Sequence, residues 1–192
     1  MATRALFAAA AAAATAALLA PAAQAQSLVG SQVTVAGYCC TAPIPSDQAT
    51  NAVTATVGSG TEFPPGTLTS LTSGLAPLPV SIDAGSNYID IVYSAGGVVP
   101  AGGFNGYVFT FAGAPTITGV SLDPASTYTP TLTFTGNSVL VNEAGQTLTG
   151  SSRALLDVAL APTMPPVPEP ETYAMLLSGL GLLGWTARRR RG

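Results

Sequence analysis

The chain has 192 residues, with six arginines, nine acids, no lysine and no histidine, for a net charge of −3. Without histidine there is no base for a serine or cysteine triad and no His/Cys zinc cluster. Without lysine there is no phosphate-binding loop of the Gly-Lys type. Arg153 is the only base between the two terminal segments, against Asp47, Glu62, Asp83, Asp90, Asp123, Glu143 and Asp157, so no basic surface exists for nucleic acid.

The first element is MATRALFAAAAAAATAALLAPAAQA. Arg4 supplies a positive start, and an Ala/Leu/Phe run follows from about Ala5 to Ala20. Pro21 breaks the helix, and Ala23-Gln24-Ala25 is a small-x-small cleavage site. Residues 1–25 are therefore expected to be a signal peptide, cut between Ala25 and Gln26 by signal peptidase, and the chain is expected to be exported. Cys39 comes too late, and follows Tyr38 instead of a small residue, for a lipoprotein signal.

Residues 26–161 read as a single all-β domain. Thr, Val, Ser and Gly dominate, and runs of strand length are separated by turn residues. Ten such runs stand out: SQVTVAGY, NAVTATVG, LPVSID, NYIDIVYS, GYVFTFAG, TITGVSL, TLTFTG, NSVLVN, QTLTG and RALLDVAL. In TLTFTG the alternation sets Leu132 and Phe134 on one face and Thr131, Thr133 and Thr135 on the other, a sheet with one wet side. AGGFNG and FTGNS supply turn glycines and asparagines, and LDPAS and EFPPG place prolines where a central strand does not run. VNEAGQ reads as a hairpin turn. The expected architecture is a jelly-roll-like β-sandwich, flanked by the signal helix and a C-terminal hydrophobic helix.

Residues 162–172, rich in proline, read as an extended linker. Residues 173–192 read as a C-terminal transmembrane helix with an arginine cluster. Tyr173 to Ala187 is uncharged and, at 1.5 Å per residue, about 22 Å long as a helix, against a hydrocarbon core of roughly 30 Å. Arg188, Arg189, Arg190 and Arg191 would stop transfer and remain cytoplasmic. The short run points to temporary residence in the inner membrane, with a permanent single-pass anchor as the alternative.

Pro168-Glu169-Pro170, the hydrophobic run and the four arginines, in that order, resemble the PEP-CTERM sorting signal. The resemblance implies recognition and cleavage at or near the motif by exosortase, a membrane-embedded cysteine transpeptidase. Pro168, Glu169 and Pro170 are then substrate groups with no catalytic role in this chain. It further implies a Gram-negative host, release to the cell surface or the exterior, and an association with exopolysaccharide and biofilm matrix. The pieces VGSGTEFP, FNGYVFTF, ITGVSLD and NSVLVNEAGQTL are similar to β-rich domains common among such substrates, and the similarity brings no assigned activity.

No catalytic residue, cofactor or metal is expected in the β domain. Asp83 and Asp90 flank DAGSNYID, a calcium candidate that lacks EF-hand spacing and reads better as a solvated loop. A carbohydrate-active enzyme would need two carboxylates across one cleft, and the sequence singles out no pair. Three outcomes are open to the adjacent Cys39 and Cys40: a vicinal disulfide, buried thiols, or a link to another chain. The expected function is that of an exported, exosortase-processed surface or matrix protein with a non-catalytic β domain.

Overall fold

The computed structural model of the chain describes residues 26–71, 77–162 and 170–189. The expected signal helix, with Ala25 at its cleavage position, lies outside the described residues. So do Pro168, Glu169, Arg190 and Arg191. Gln26 is the first described residue.

Among the described residues eleven strands form between Gln32 and Leu160. They are β1 (Gln32–Cys39), β2 (Val53–Thr56), β3 (Val80–Ala84), β4 (Tyr88–Tyr93), β5 (Gly97–Val98), β6 (Asn105–Ala112), β7 (Ile117–Leu122), β8 (Thr131–Phe134), β9 (Ser138–Asn142), β10 (Thr147–Leu148) and β11 (Arg153–Leu160). One sheet runs β2-β1-β6-β9-β8, a second runs β3-β4-β11-β7, and β5 pairs with β10. Neighbouring strands are antiparallel throughout.

The alternation in the sequence explains which side of each strand is covered. In β4, Ile89, Ile91 and Tyr93 are buried while Tyr88, Asp90 and Val92 are half-buried. In β11, Ala154, Leu156 and Val158 are buried and Asp157 and Ala159 are exposed. One cluster of buried side chains joins Val33, Val35, Phe109, Phe111, Val139 and Val141 of the five-stranded sheet to Ile82, Ile89, Ile91 and Leu156 of the four-stranded sheet. Ile91 is fully buried and sits in a strand paired on both sides. Ile91→Val is expected to lower unfolding free energy by about 1 kcal/mol, the cost of one methylene and the small cavity it leaves, read from urea unfolding.

Glycine is required where strands approach most closely. A Cβ on Gly106 in β6 would lie 2.0 Å from the Val141 carbonyl oxygen of β9, so a side chain there would separate the two strands. Gly145, with φ of 77°, supplies the left-handed turn after β9.

Each of the ten sequence-derived runs contains a strand, and four details differ from expectation. β5 was not anticipated, because a two-residue strand has no readable period. VNEAGQ does turn, with the Gln146 amide donating to the Glu143 carbonyl at 3.0 Å, but it is not a hairpin: β9 pairs with β6 and β8, and β10 with β5. Phe134 is 44% exposed, since β8 is an edge strand whose tip is not covered. DAGSNYID, expected as a solvated loop, is the β3–β4 hairpin. Asp83 and Asp90 are directly opposed, and the Arg153 guanidinium donates to both Asp90 oxygens at 2.8 and 2.9 Å, which offsets the like-charge contact. Among the described residues no group of three His, Cys, Asp or Glu is placed to hold a metal.

Candidate functional site

Three tyrosine side chains far apart in sequence converge at one carboxylate. Tyr93 ends β4, Tyr107 points inward from β6, Tyr128 lies in the β7–β8 connection, and Glu143 follows β9. Glu143 is 2% exposed. Its Oε2 accepts from the Tyr93 hydroxyl and its Oε1 from the Tyr128 hydroxyl, each at 2.5 Å. The Tyr93 and Tyr107 hydroxyls lie 3.4 Å apart, and the Tyr93 and Tyr128 rings meet edge to face at 6.1 Å. Burial pushes the Glu143 carboxyl up to about 7, outweighing the two tyrosine hydrogen bonds that favour its charged form. Burial, followed by the Glu143 charge, also raises the Tyr107 and Tyr128 hydroxyls above the ordinary phenol range.

A pocket of about 190 Å³ opens onto this cluster, with Tyr38, Cys39, Leu78, Val98, Tyr107 and Glu143 in its lining. Cys39 and Cys40 are bonded to each other, which resolves the three outcomes left open by their adjacency. Cys40 takes a φ of 97°, in the left-handed region. The segment is held by the Cys40 amide donating to the Phe104 carbonyl at 2.7 Å and the Gly103 amide donating to the Cys40 carbonyl at 3.1 Å. The Tyr38 ring meets Phe104 edge-on.

Sequence reasoning missed this cluster. Glu143 sits in a polar turn sequence and reads as solvated, and the spacings 93, 107, 128 and 143 form no motif. One signal was present: Tyr93 is in phase with Ile89 and Ile91, and Tyr107 with Phe109 and Phe111. A tyrosine on the covered face needs a buried partner for its hydroxyl.

The C-terminal segment forms α1 (Pro170–Arg189). Pro170 at the first position costs no helical hydrogen bond. Arg188 and Arg189 in the last turn complement the helix dipole, and the Arg189 guanidinium lies 4.6 Å from the Trp185 ring centroid. Met175, Leu176, Leu177, Leu180, Leu182, Leu183 and Trp185 are exposed. The Ser178 and Thr186 hydroxyls donate to the carbonyls of Met175 and Leu183 within the helix. The expected transmembrane helix over 173–192 requires correction. A helix forms, but among the described residues none is long and apolar enough to cross a membrane. Glycine, serine and threonine dilute the apolar run, and Arg188 and Arg189 end it.

Residues 166–191 match the family described as the PEP-CTERM protein-sorting motif. The chain carries a PEP-CTERM sorting motif. The motif implies an exported protein processed by exosortase, with a transient membrane stage. Pro170 closes the Pro-Glu-Pro tripeptide and is the first residue of α1. The sorting motif's match does not reach the β strands. No curated protein and no solved structure matches the chain.

Proposed function

We propose that this is a surface or extracellular-matrix protein of a Gram-negative cell, released after exosortase processing, whose β domain is a jelly-roll-like sandwich that contacts exopolysaccharide without catalysis. The single cluster of buried side chains shared by the two larger sheets supports the sandwich reading. The observation that carries the binding role is a transverse row of hydroxyl side chains on the outer face of the five-stranded sheet. Thr54 of β2 opposes Thr34 of β1, Thr34 opposes Thr110 of β6, and Thr110 opposes Ser138 of β9. Thr135 extends the row, its amide donating to the Ser138 carbonyl at 2.8 Å. At about 4.8 Å per strand, the row is roughly 19 Å long and offers hydroxyl oxygens as acceptors to a hydroxylated polymer, with the Thr34 and Thr54 hydroxyls already sharing a hydrogen bond at 2.7 Å.

A carboxylate-pair glycosidase has less support, because the described lining of the pocket holds one carboxylate, Glu143. A permanent anchor has less support from a helix that is too short and too dilute to span. The test is retention of the full chain on the host's exopolysaccharide. Thr54→Lys together with Thr110→Lys replaces two exposed members of the row that are not direct neighbours, and is expected to weaken retention by about tenfold. Retention unchanged by the pair overturns the role of this face.

A further inference from the structure

The pocket over Glu143 has a chemistry that the hydroxyl row lacks. A buried carboxylate ordinarily faces a cation, because an isolated buried charge is costly. Residues 26–162 contain one arginine and no lysine, and that arginine is held by both oxygens of Asp90. The donors on Glu143 are the neutral hydroxyls of Tyr93 and Tyr128, which leave a free lone pair on each carboxylate oxygen. Leu78, Val98, Val99 and Pro100 make the rest of the lining largely apolar, and Asn105 adds a polar group. At about 190 Å³ the space lies below the ~300 Å³ where drug-sized sites begin, so it takes one ring rather than a length of polymer.

We propose that this pocket binds a protonated amine carried on a single sugar-sized ring, the ammonium donating to Glu143 and the ring resting against Leu78 and Val98. An amino sugar at the free end of a polysaccharide meets this description. The proposal rests on the polysaccharide reading above for the source of the sugar, while the amine follows from the buried carboxylate itself. It also explains why a domain with one arginine keeps a carboxylate in its interior: the missing cation arrives with the ligand. Because burial favours the protonated carboxyl, uptake of an ammonium below neutrality displaces the Glu143 proton to solvent, so binding releases a proton.

The experiment is calorimetric titration of the full chain in mild detergent at about pH 6 with glucosamine, glucose and N-acetylglucosamine, repeated in buffers of different ionisation enthalpy. Glucosamine is expected to bind about tenfold or more tighter than the two neutral sugars, with heats that shift with the buffer because a proton leaves. Glu143→Gln is expected to abolish the preference. Val98 is 71% exposed, so Val98→Arg sets a cation at the rim without disturbing the core, and is expected to weaken glucosamine by about tenfold. Equal affinity for glucose, no saturable heat, or a Val98→Arg chain that binds glucosamine as before would overturn the proposal. Polymer retention by the Thr row without any glucosamine binding overturns this site and leaves the row standing. Glucosamine binding without polymer retention upholds this site and removes the row.

Discussion

Replacement of Pro168, Glu169 and Pro170 by alanine is expected to leave the chain uncut at its C-terminal end and associated with the cell envelope. The two prolines remove two amide donors and restrict φ, and Glu169 offers one charge to a basic subsite. Pro170 also opens α1, so the motif ends at a helix start. Loss of the paired recognition groups is expected to lower processing on the order of a hundredfold or more. Intact mass and cell fractionation, in hosts with and without the sorting peptidase, read the outcome. Glu169→Gln alone separates the charge from the backbone: it keeps both prolines and is expected to be processed slowly. A mature protein of unchanged mass from the triple-alanine chain would remove the motif from the mechanism.

Stability is expected to fall as pH rises from acid to neutral, because of Glu143. Its carboxyl titrates near 4.5 when free and at about 7 in the fold. Between those values the folded chain holds a proton that the unfolded chain has lost, so unfolding free energy decreases with pH across that window. The contribution is fully present below about pH 4.5 and is lost as pH passes through about 7. For a group this deeply buried the loss amounts to roughly 3 kcal/mol. Urea unfolding at about pH 5 and about pH 8 reads it, and Glu143→Gln, which cannot ionise, is expected to remove the slope in that range. The neutral amide keeps an acceptor for one tyrosine, so the variant remains informative. A wild-type chain and a Glu143→Gln chain with the same pH dependence would mean that the carboxyl is not desolvated as the cluster requires.

The two predictions concern features of different legibility. The sorting motif is linear: a tripeptide, an uncharged run and an arginine cluster can be read in order without knowing any contact. The strands are nearly as local. Side chains on a strand alternate faces, so Leu and Val at every second position in β4 or β11 declare a covered side wherever that side points. What a strand faces is not local. Phe134 alternates correctly with Leu132 and is nevertheless exposed, because β8 ends the sheet. β5 exists only because Thr147 and Leu148 lie opposite it.

The sequence by itself determined the all-β composition of the domain, ten of its strands, the want of histidine and lysine chemistry, and the C-terminal sorting motif. Tertiary structure alone decided the strand order, the bond between Cys39 and Cys40, the in-register hydroxyl row and the meeting of Tyr93, Tyr107 and Tyr128 at Glu143. Periodicity and motif order are properties of near neighbours along the chain. Burial, pairing and the displacement of a carboxyl's titration depend on groups brought together from 15 to 50 residues away, and no window of sequence contains them.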